Sequence, residues 1–246
     1  MNLYREQGVV LRTYRLGEAD RIVVLMTQGE GKVRAVAKGV RKTRSRFGGR
    51  LELFSHVDLS LYRGRNLDTV TQVEVVDAFR HLREDYDRVV AGSAMLEAVD
   101  QVAQEREAAV RVFLLLIRGL RALDGGPRDP SVVLDAFLLK LMALEGYKPS
   151  LAECAACGLH NETGTALRSF SINRGGALCG TCRSGMESVL DPGTMPLLAG
   201  LMAGELDRAA VVVPAGVPRG EAGTLVKSFV EFHLDRRLRS YPLVAR

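Results

Sequence analysis

The sequence predicts an α+β protein: a small closed barrel of five antiparallel strands, then an α-helical domain interrupted by a four-cysteine module. Three observations carry this. Residues 3–77 are short β-branched runs broken by Gly, Asp, Asn and Ser. Helical periodicity replaces them near Phe79. All four cysteines then fall in two CxxC pairs between 154 and 182. With 246 residues, 47% hydrophobic and 26% charged, the chain can bury a core without disulfides, and a disordered or collagen-like chain is excluded. The longest unbroken apolar run, Val112 to Ile117, is too short to span a bilayer. The first residues meet charge at once and show no apolar stretch of a secretion signal, so a cytoplasmic location is expected.

The strands are expected at Gly8–Tyr14, Arg21–Thr27, Lys32–Val40, His56–Tyr62 and Leu67–Val76, with Gln28–Gly31 turning a hairpin between the second and third. Period-two alternation in the third places Val33, Ala35 and Ala37 on one face and Lys32, Arg34 and Lys38 on the other. One face packs and the other is cationic. Five such strands in about 75 residues suit an OB-fold, whose strand 2–3 face and connecting loops commonly hold oligonucleotides. A small SH3-like barrel competes with it.

Charge sharpens the point. The net charge is +5 and the excess is N-terminal, 15 basic against 9 acidic residues over positions 1–80. Lys32, Arg34, Lys38, Arg41, Lys42, Arg44, Arg46 and Arg50 follow one another with no acid between, the density of a phosphate-binding surface. Such a run can also be merely a solvated face. Tyr14, beside Arg12 on its strand face, and Phe47, inside the basic loop, are candidates for base stacking; Phe54 and Phe79 are expected in the core.

Tyr86, Val90, Ala94, Ala98 and Val102 recur at four-residue spacing, and Glu107–Leu123 and Ser131–Gly146 continue the helical pattern. Asp124-Gly125-Gly126-Pro127 ends one helix and Asp129-Pro130-Ser131 caps the next. Beyond the cysteines, helices are expected at Thr194–Leu206 and Glu221–Arg239, the last with Leu225, Phe229 and Phe232 packing onto the earlier helices. The expected organisation is therefore 1–78 nucleic-acid-binding barrel, 79–150 helical domain, 151–190 cysteine module and 191–246 helices returning to the helical domain.

Cys154-x-x-Cys157 and Cys179-x-x-Cys182 stand 21 residues apart. Each CxxC knuckle aims two thiolates at one point, and two knuckles complete a tetrahedral S4 site for Zn²⁺. Four protein ligands leave no place for water, so the zinc is expected to be structural. A pair of disulfides is the alternative. His160-Asn161-Glu162 followed by Cys179-x-x-Cys182 imitates a zinc deaminase signature, but Leu178 stands where that signature has proline and the first CxxC has no task in it. Phosphate-cradling loops, GxSxG elbows and HExxH helices are absent from the sequence, so a binding protein rather than an enzyme is expected.

Several blocks then carry a resemblance. Gly8-Val9-Val10-Leu11, Gly17-Glu18-Ala19-Asp20-Arg21-Ile22-Val23, Gly31-Lys32, Ala37-Lys38-Gly39-Val40-Arg41-Lys42, Ser45-Arg46 and Leu51-x-x-Phe54 resemble the N-terminal domain of the RecO family of bacterial DNA repair proteins. Phe137-Leu138-Leu139-Lys140-Leu141, Gly146-Tyr147-x-Pro149-x-Leu151 and Cys154-x-x-Cys157-Gly158 are similar to the family's last central helix running into its zinc module. His233-Leu234-x-x-Arg237-Leu238-Arg239-Ser240 is similar to its closing helix.

The resemblance implies an N-terminal OB-fold, a helical domain and a zinc module, although some members lack the cysteines. It implies a recombination mediator of the RecF pathway, nucleoid-associated, answering DNA damage without hydrolysing ATP. Such proteins bind single- and double-stranded DNA, anneal strands coated by single-strand-binding protein, and with RecR help RecA replace that coat. The family's receptor for the acidic tail of single-strand-binding protein lies on the helical domain. Lys140, Arg121 and Arg236-Arg237-x-Arg239 could flank it, though basic residues at helix C-termini also answer the helix dipole. Apart from the resemblance, an OB-plus-zinc RNA-binding or translation-associated factor fits the same features.

Overall fold

The computed structural model describes residues 2–45, 47–126, 129–160, 167–185, 187–204 and 216–241. Five strands, β1 (Leu3–Leu16), β2 (Asp20–Thr27), β3 (Gly31–Ala37), β4 (His56–Tyr62) and β5 (Asp68–Asp77), close into a barrel in the order β1-β2-β3-β5-β4. This is the OB-fold rather than the SH3-like alternative. β1 pairs β4 from Leu3↔Tyr62 to Val9↔His56 and β2 from Gly8↔Thr27 to Leu16↔Asp20, with a register irregularity between Val10 and Arg12. Such an irregularity bends and twists a strand, which lets β1 serve two neighbours. All neighbouring pairs are antiparallel except β3–β5, which is parallel through Ala35↔Asp68 and Val36↔Thr69 and corrects the all-antiparallel expectation.

The alternation read in β3 is observed. Val33, Ala35 and Ala37 are buried in the barrel with Val10, Val23, Leu25, Val57, Leu59, Leu61 and Val70, while Arg34 and Lys38 are exposed. β3 stops at Ala37, three residues earlier than its composition suggested, because the chain turns at Gly39 (φ +68). A 3-10 turn, Gly48–Leu51, follows, and Phe47 and Leu51 belong to the barrel core.

Helices α1 (Arg80–Glu84), α2 (Tyr86–Val102) and α3 (Val110–Asp124) come next. Asp85 caps α2 by accepting from the Arg88 N–H at 2.9 Å. α2 packs on β1 and α3 on β1 and β2, which buries Val24 and Met26, residues that face away from the barrel interior. The α2–α3 connection crosses the β2–β3 hairpin at Gly31. A Cβ there would sit 1.8 Å from the Glu107 carbonyl oxygen, and φ is +64, so only glycine fits. The Lys32 N–H donates to Gln104 and the Arg106 N–H to Lys32 across this crossing. Arg106 also donates to the wholly buried Asp68 at 2.7 Å, and the Tyr4 hydroxyl donates to the same carboxylate. Burial opposes ionisation of Asp68, but the bonds from Arg106 and Tyr4 outweigh it and hold the carboxyl below its usual range.

The remaining elements are α4 (Pro130–Leu144), β6 (Leu167–Ser171), β7 (Gly176–Cys179), α5 (Thr194–Ala203) and α6 (Val217–Leu234). Asp129 accepts from the Ser131 N–H at 2.9 Å with Pro130 in the first turn, the cap legible in the sequence. α4, α5 and α6 pack on one another. The last helix ends at Leu234, not at Arg239, because Asp235 turns left-handed at φ +50. Its buried line is Ala222, Val226, Phe229 and Val230; Leu225 is half-buried and Phe232 is 51% exposed, so the expected stripe is corrected by one helical position.

The chain divides into two compact units, Met1–Asp124 and Gly125–Arg246. The division falls inside the stretch 79–150 that the pattern alone treats as one helical domain: α1–α3 belong with the barrel, and α4 with the cysteines, α5 and α6. Among the described residues no helix is long and apolar enough to cross a membrane.

Candidate metal centre and nucleic-acid interface

The cysteines meet because three segments lie side by side. The Ser150 N–H donates to Gly175, the Ala177 N–H returns the bond to Ser150, and the Ala155 N–H donates to Ala177 at 2.8 Å. A Cβ on Gly176 would lie 2.4 Å from the Ser150 carbonyl oxygen, so this approach also requires glycine. The first knuckle closes through Gly158 N–H to Cys154 at 2.9 Å, with Gly158 at φ +72. The second begins where β7 ends and turns through the N–H groups of Cys182 and Arg183, both donating to Cys179 at 3.2 Å.

All four Sγ atoms of Cys154, Cys157, Cys179 and Cys182 lie within 4.8 Å of one another, with Cys157 and Cys179 at 3.8 Å. Zn–S bonds of about 2.3 Å at tetrahedral angles imply sulfur–sulfur edges of about 3.8 Å. The donor set therefore fits a metal ion. All four cysteines are free thiols, which sets aside the disulfide alternative for this structure. Burial works against ionising Cys154, but backbone N–H groups of Cys179, Ala156 and Cys157 outweigh it and bring the thiol down to about 6. Hydrogen bonds with Cys157 and Cys179, then burial, push Cys182 up to about 12. Backbone hydrogen bonding, from Cys182 first, also lowers Cys179, so the cluster holds thiols shifted in both directions, and cation binding by such a set would release protons.

His160 stands apart from the cluster, 70% exposed and 3.7 Å from Glu153. The deaminase imitation loses its histidine ligand; Asn161 and Glu162 lie outside the described residues.

The basic run divides into two environments. Lys32 donates to the Asp100 carbonyl oxygen at 2.7 Å and lies 3.5 Å from the Asp100 carboxylate, which Arg12 also engages at 2.6 Å. Arg34 faces Glu105 at 3.8 Å. The strand face expected to meet nucleic acid is thus answered by acids at the end of α2 and just beyond it; Lys32 is largely withdrawn from solvent, and Arg34 stays at its edge. Lys38, Arg41, Lys42, Arg44 and Arg50 are exposed. Arg41 donates to the Gly17 and Glu18 carbonyl oxygens, and its N–H to Ala19, so the basic loop is tied to the β1–β2 turn. Arg46 lies outside the described residues.

Phe47 is corrected outright. It is 2% exposed in the barrel core and offers no face to a base. An apolar ring in a polar loop is better buried than solvated, and here it tethers the loop. Tyr14 is 47% exposed, within 3.4 Å of Arg12, and keeps an open ring. The register adds a pair that spacing does not show: Arg15, exposed, sits opposite Arg21 on β1 and β2, and Arg21 is itself engaged by Glu52 at 2.9 Å. Cross-strand pairing is what gathers them, and only the turn at Gly17–Ala19 hinted at it.

Comparison with known proteins places both halves. Residues 1–79 match the family model described as "Recombination protein O N terminal", and residues 83–242 match "Recombination protein O C terminal". The chain is 51% identical to a protein of Nocardioides sp. named DNA repair protein RecO, covering 99% of this chain and 100% of that protein. Proteins of the same name from Thermobifida fusca and Frankia casuarinae are 46% and 45% identical, each over 100% of both chains.

Proposed function

The chain belongs to the RecO family of DNA repair proteins, and from that premise we propose that it is a non-enzymatic recombination mediator. In this reading it works in the cytoplasm, at the nucleoid, on single- and double-stranded DNA. The observation that carries the reading is the exposed basic rim of the barrel: Lys38, Arg41, Lys42, Arg44 and Arg50, with exposed Arg15 beside the neighbouring turn of β1 and β2. These side chains contact phosphates and release counterions. Five neutralised phosphates give a log–log salt slope of roughly −3.5 for single strands. Phosphate contacts position a strand without reading its sequence, and cations between two strands screen their repulsion, which favours annealing. Tyr14 supplies a stacking face.

Cys154, Cys157, Cys179 and Cys182 would hold a zinc ion through all four thiolates, and such a closed site would serve folding rather than chemistry. Single-strand-binding protein, RecR and, through them, RecA are the partners that membership of the family supplies.

The test is ATP-free annealing of complementary oligonucleotides precoated with single-strand-binding protein, comparing wild type with Lys38, Arg41, Lys42 and Arg44 changed together to Glu. Acceleration by wild type alone supports a mediator acting through the rim. Equal acceleration by the variant moves the DNA surface elsewhere, and tight RNA binding without annealing makes the chain an RNA factor.

A further inference from the structure

Tyr147, Lys148, Arg174 and His233 line an open cleft of about 480 Å³ beside the first cysteine knuckle, a size within the usual range of ligand sites. None of these residues takes part in the metal cluster, and the basic rim does not include them. Tyr147 follows the turn that ends α4 and stacks on His233 with ring centroids 4.5 Å apart and planes at 27°. Phe229, itself buried, backs His233 edge-on at 4.4 Å. The Tyr147 ring is therefore held from one side and remains 44% exposed. His233 Nε2 is closed off from solvent and, among the described residues, has no hydrogen-bond partner. Lys148 and Arg174 are exposed, and among the described residues neither forms an ion pair or a side-chain hydrogen bond. The one acid in the lining, Glu153, faces His160.

A backed aromatic face sharing a cleft with two uncommitted cations suits a single-stranded polynucleotide: bases stack regardless of sequence while phosphates meet the cations. A peptide ending in apolar side chains needs an apolar floor. Here the floor is Ala155, Ala156 and glycine, and the large apolar ring beneath, Phe229, is 2% exposed. We propose that this cleft is a second single-strand subsite, in which a base stacks on Tyr147 and its neighbouring phosphates engage Lys148 and Arg174. This rests on the DNA-binding reading above and deepens it, since each unit then offers a strand a site of its own.

The experiment uses the full-length, zinc-loaded chain and a fluorescent oligo-dT strand. Binding is followed against salt for wild type, Lys148→Glu/Arg174→Glu, Tyr147→Ala and Tyr147→Phe. The double charge reversal is expected to flatten the log–log slope by about 1.4, two phosphates at about 0.7 each. Tyr147→Ala is expected to weaken binding about tenfold or more, and Tyr147→Phe, which keeps the stacking face, to restore it. Unchanged melting of the charge-reversal variant shows that its fold is intact. Wild-type binding with unchanged slope and affinity in every variant overturns the cleft alone. Absence of DNA binding by wild type overturns the broader reading instead. If the charge reversal leaves DNA binding intact but abolishes binding of a synthetic acidic peptide ending in apolar residues, the cleft is a peptide site and the proposal fails.

Discussion

The barrel and the cysteine module bring distant segments together by different physical means. In the barrel, backbone ladders close a ring whose interior is filled by Val, Leu and Ala side chains, with Phe47 and Leu51 added from the loop. In the module a four-residue strand and a five-residue strand carry few large apolar residues; backbone bonds among Ser150, Ala155, Gly175 and Ala177 hold the segments together, and the four sulfurs meet beside them. The barrel's order is distributed over many contacts, each worth little. The module has less apolar surface to draw on, so a change at one of the clustered sulfurs is expected to have a disproportionate effect.

Chelation, or Cys154→Ser, should therefore produce the largest effect. Structural zinc contributes on the order of 10 kcal/mol to small zinc-dependent folds, and if the cysteines hold zinc as proposed, its removal should abolish amide-exchange protection in β6, β7 and the knuckles while β1–β5 stay protected. Loss of protection in the barrel at the same rate would show that the two regions are not held separately. Phe47→Ala comes next, at about 3–5 kcal/mol for a buried Phe. It should lower the melting temperature of the barrel by denaturation monitored on the full chain, and leave module protection unchanged. Retained stability with lost DNA affinity would return Phe47 to the interface.

Within the barrel the same contrast can be sharpened. Lys32→Met strands Asp100 beside Arg12 alone and should cost about 1 kcal/mol of stability with little change in DNA affinity. Lys42→Met should do the reverse, flattening the salt slope by about 0.7 with no change in melting. Equal slopes for the two variants would mean the strand face binds DNA after all.

The smallest expected effect is on pH. Burial, with Arg121 nearby, lowers the pKa of His56, which outweighs the pull of Asp77 and Asp58. A histidine held neutral by the fold binds a proton more readily once unfolded. Its contribution is therefore complete above the unfolded value of about 6.5 and is lost as pH falls from there toward the lower folded value. His56→Gln should flatten the stability profile between about pH 7 and 5, as measured by denaturant titration; an unchanged slope would assign the acid sensitivity to other groups.

Much of this was legible along the chain. The five strands, the Asp129-Pro130-Ser131 cap, the buried alternation in β3 and the two CxxC pairs all depend on residues within a few positions of one another, and local sterics, hydrogen bonding and side-chain periodicity act at that range. What lies outside that range is not legible. The sequence shows Lys32 and Arg34 without their counter-charges because Asp100 and Glu105 lie some 70 positions away. Phe47 looked exposed because its neighbours are basic, although its partners are barrel residues contributed by other strands. Leu225 and Phe232 share a stripe on the helix, but Ala222, Val226 and Phe229 are the residues turned inward.

The sequence by itself determined which residues alternate, which can bind a metal and which segment is basic, since those are properties of nearest neighbours and of chemistry fixed in each side chain. Only the tertiary structure decided which cations are neutralised, which aromatic rings are buried and where Tyr147 meets His233. Burial and ion pairing depend on the approach of elements far apart in the chain, and that approach is set by the summed packing of both units, not by any local pattern.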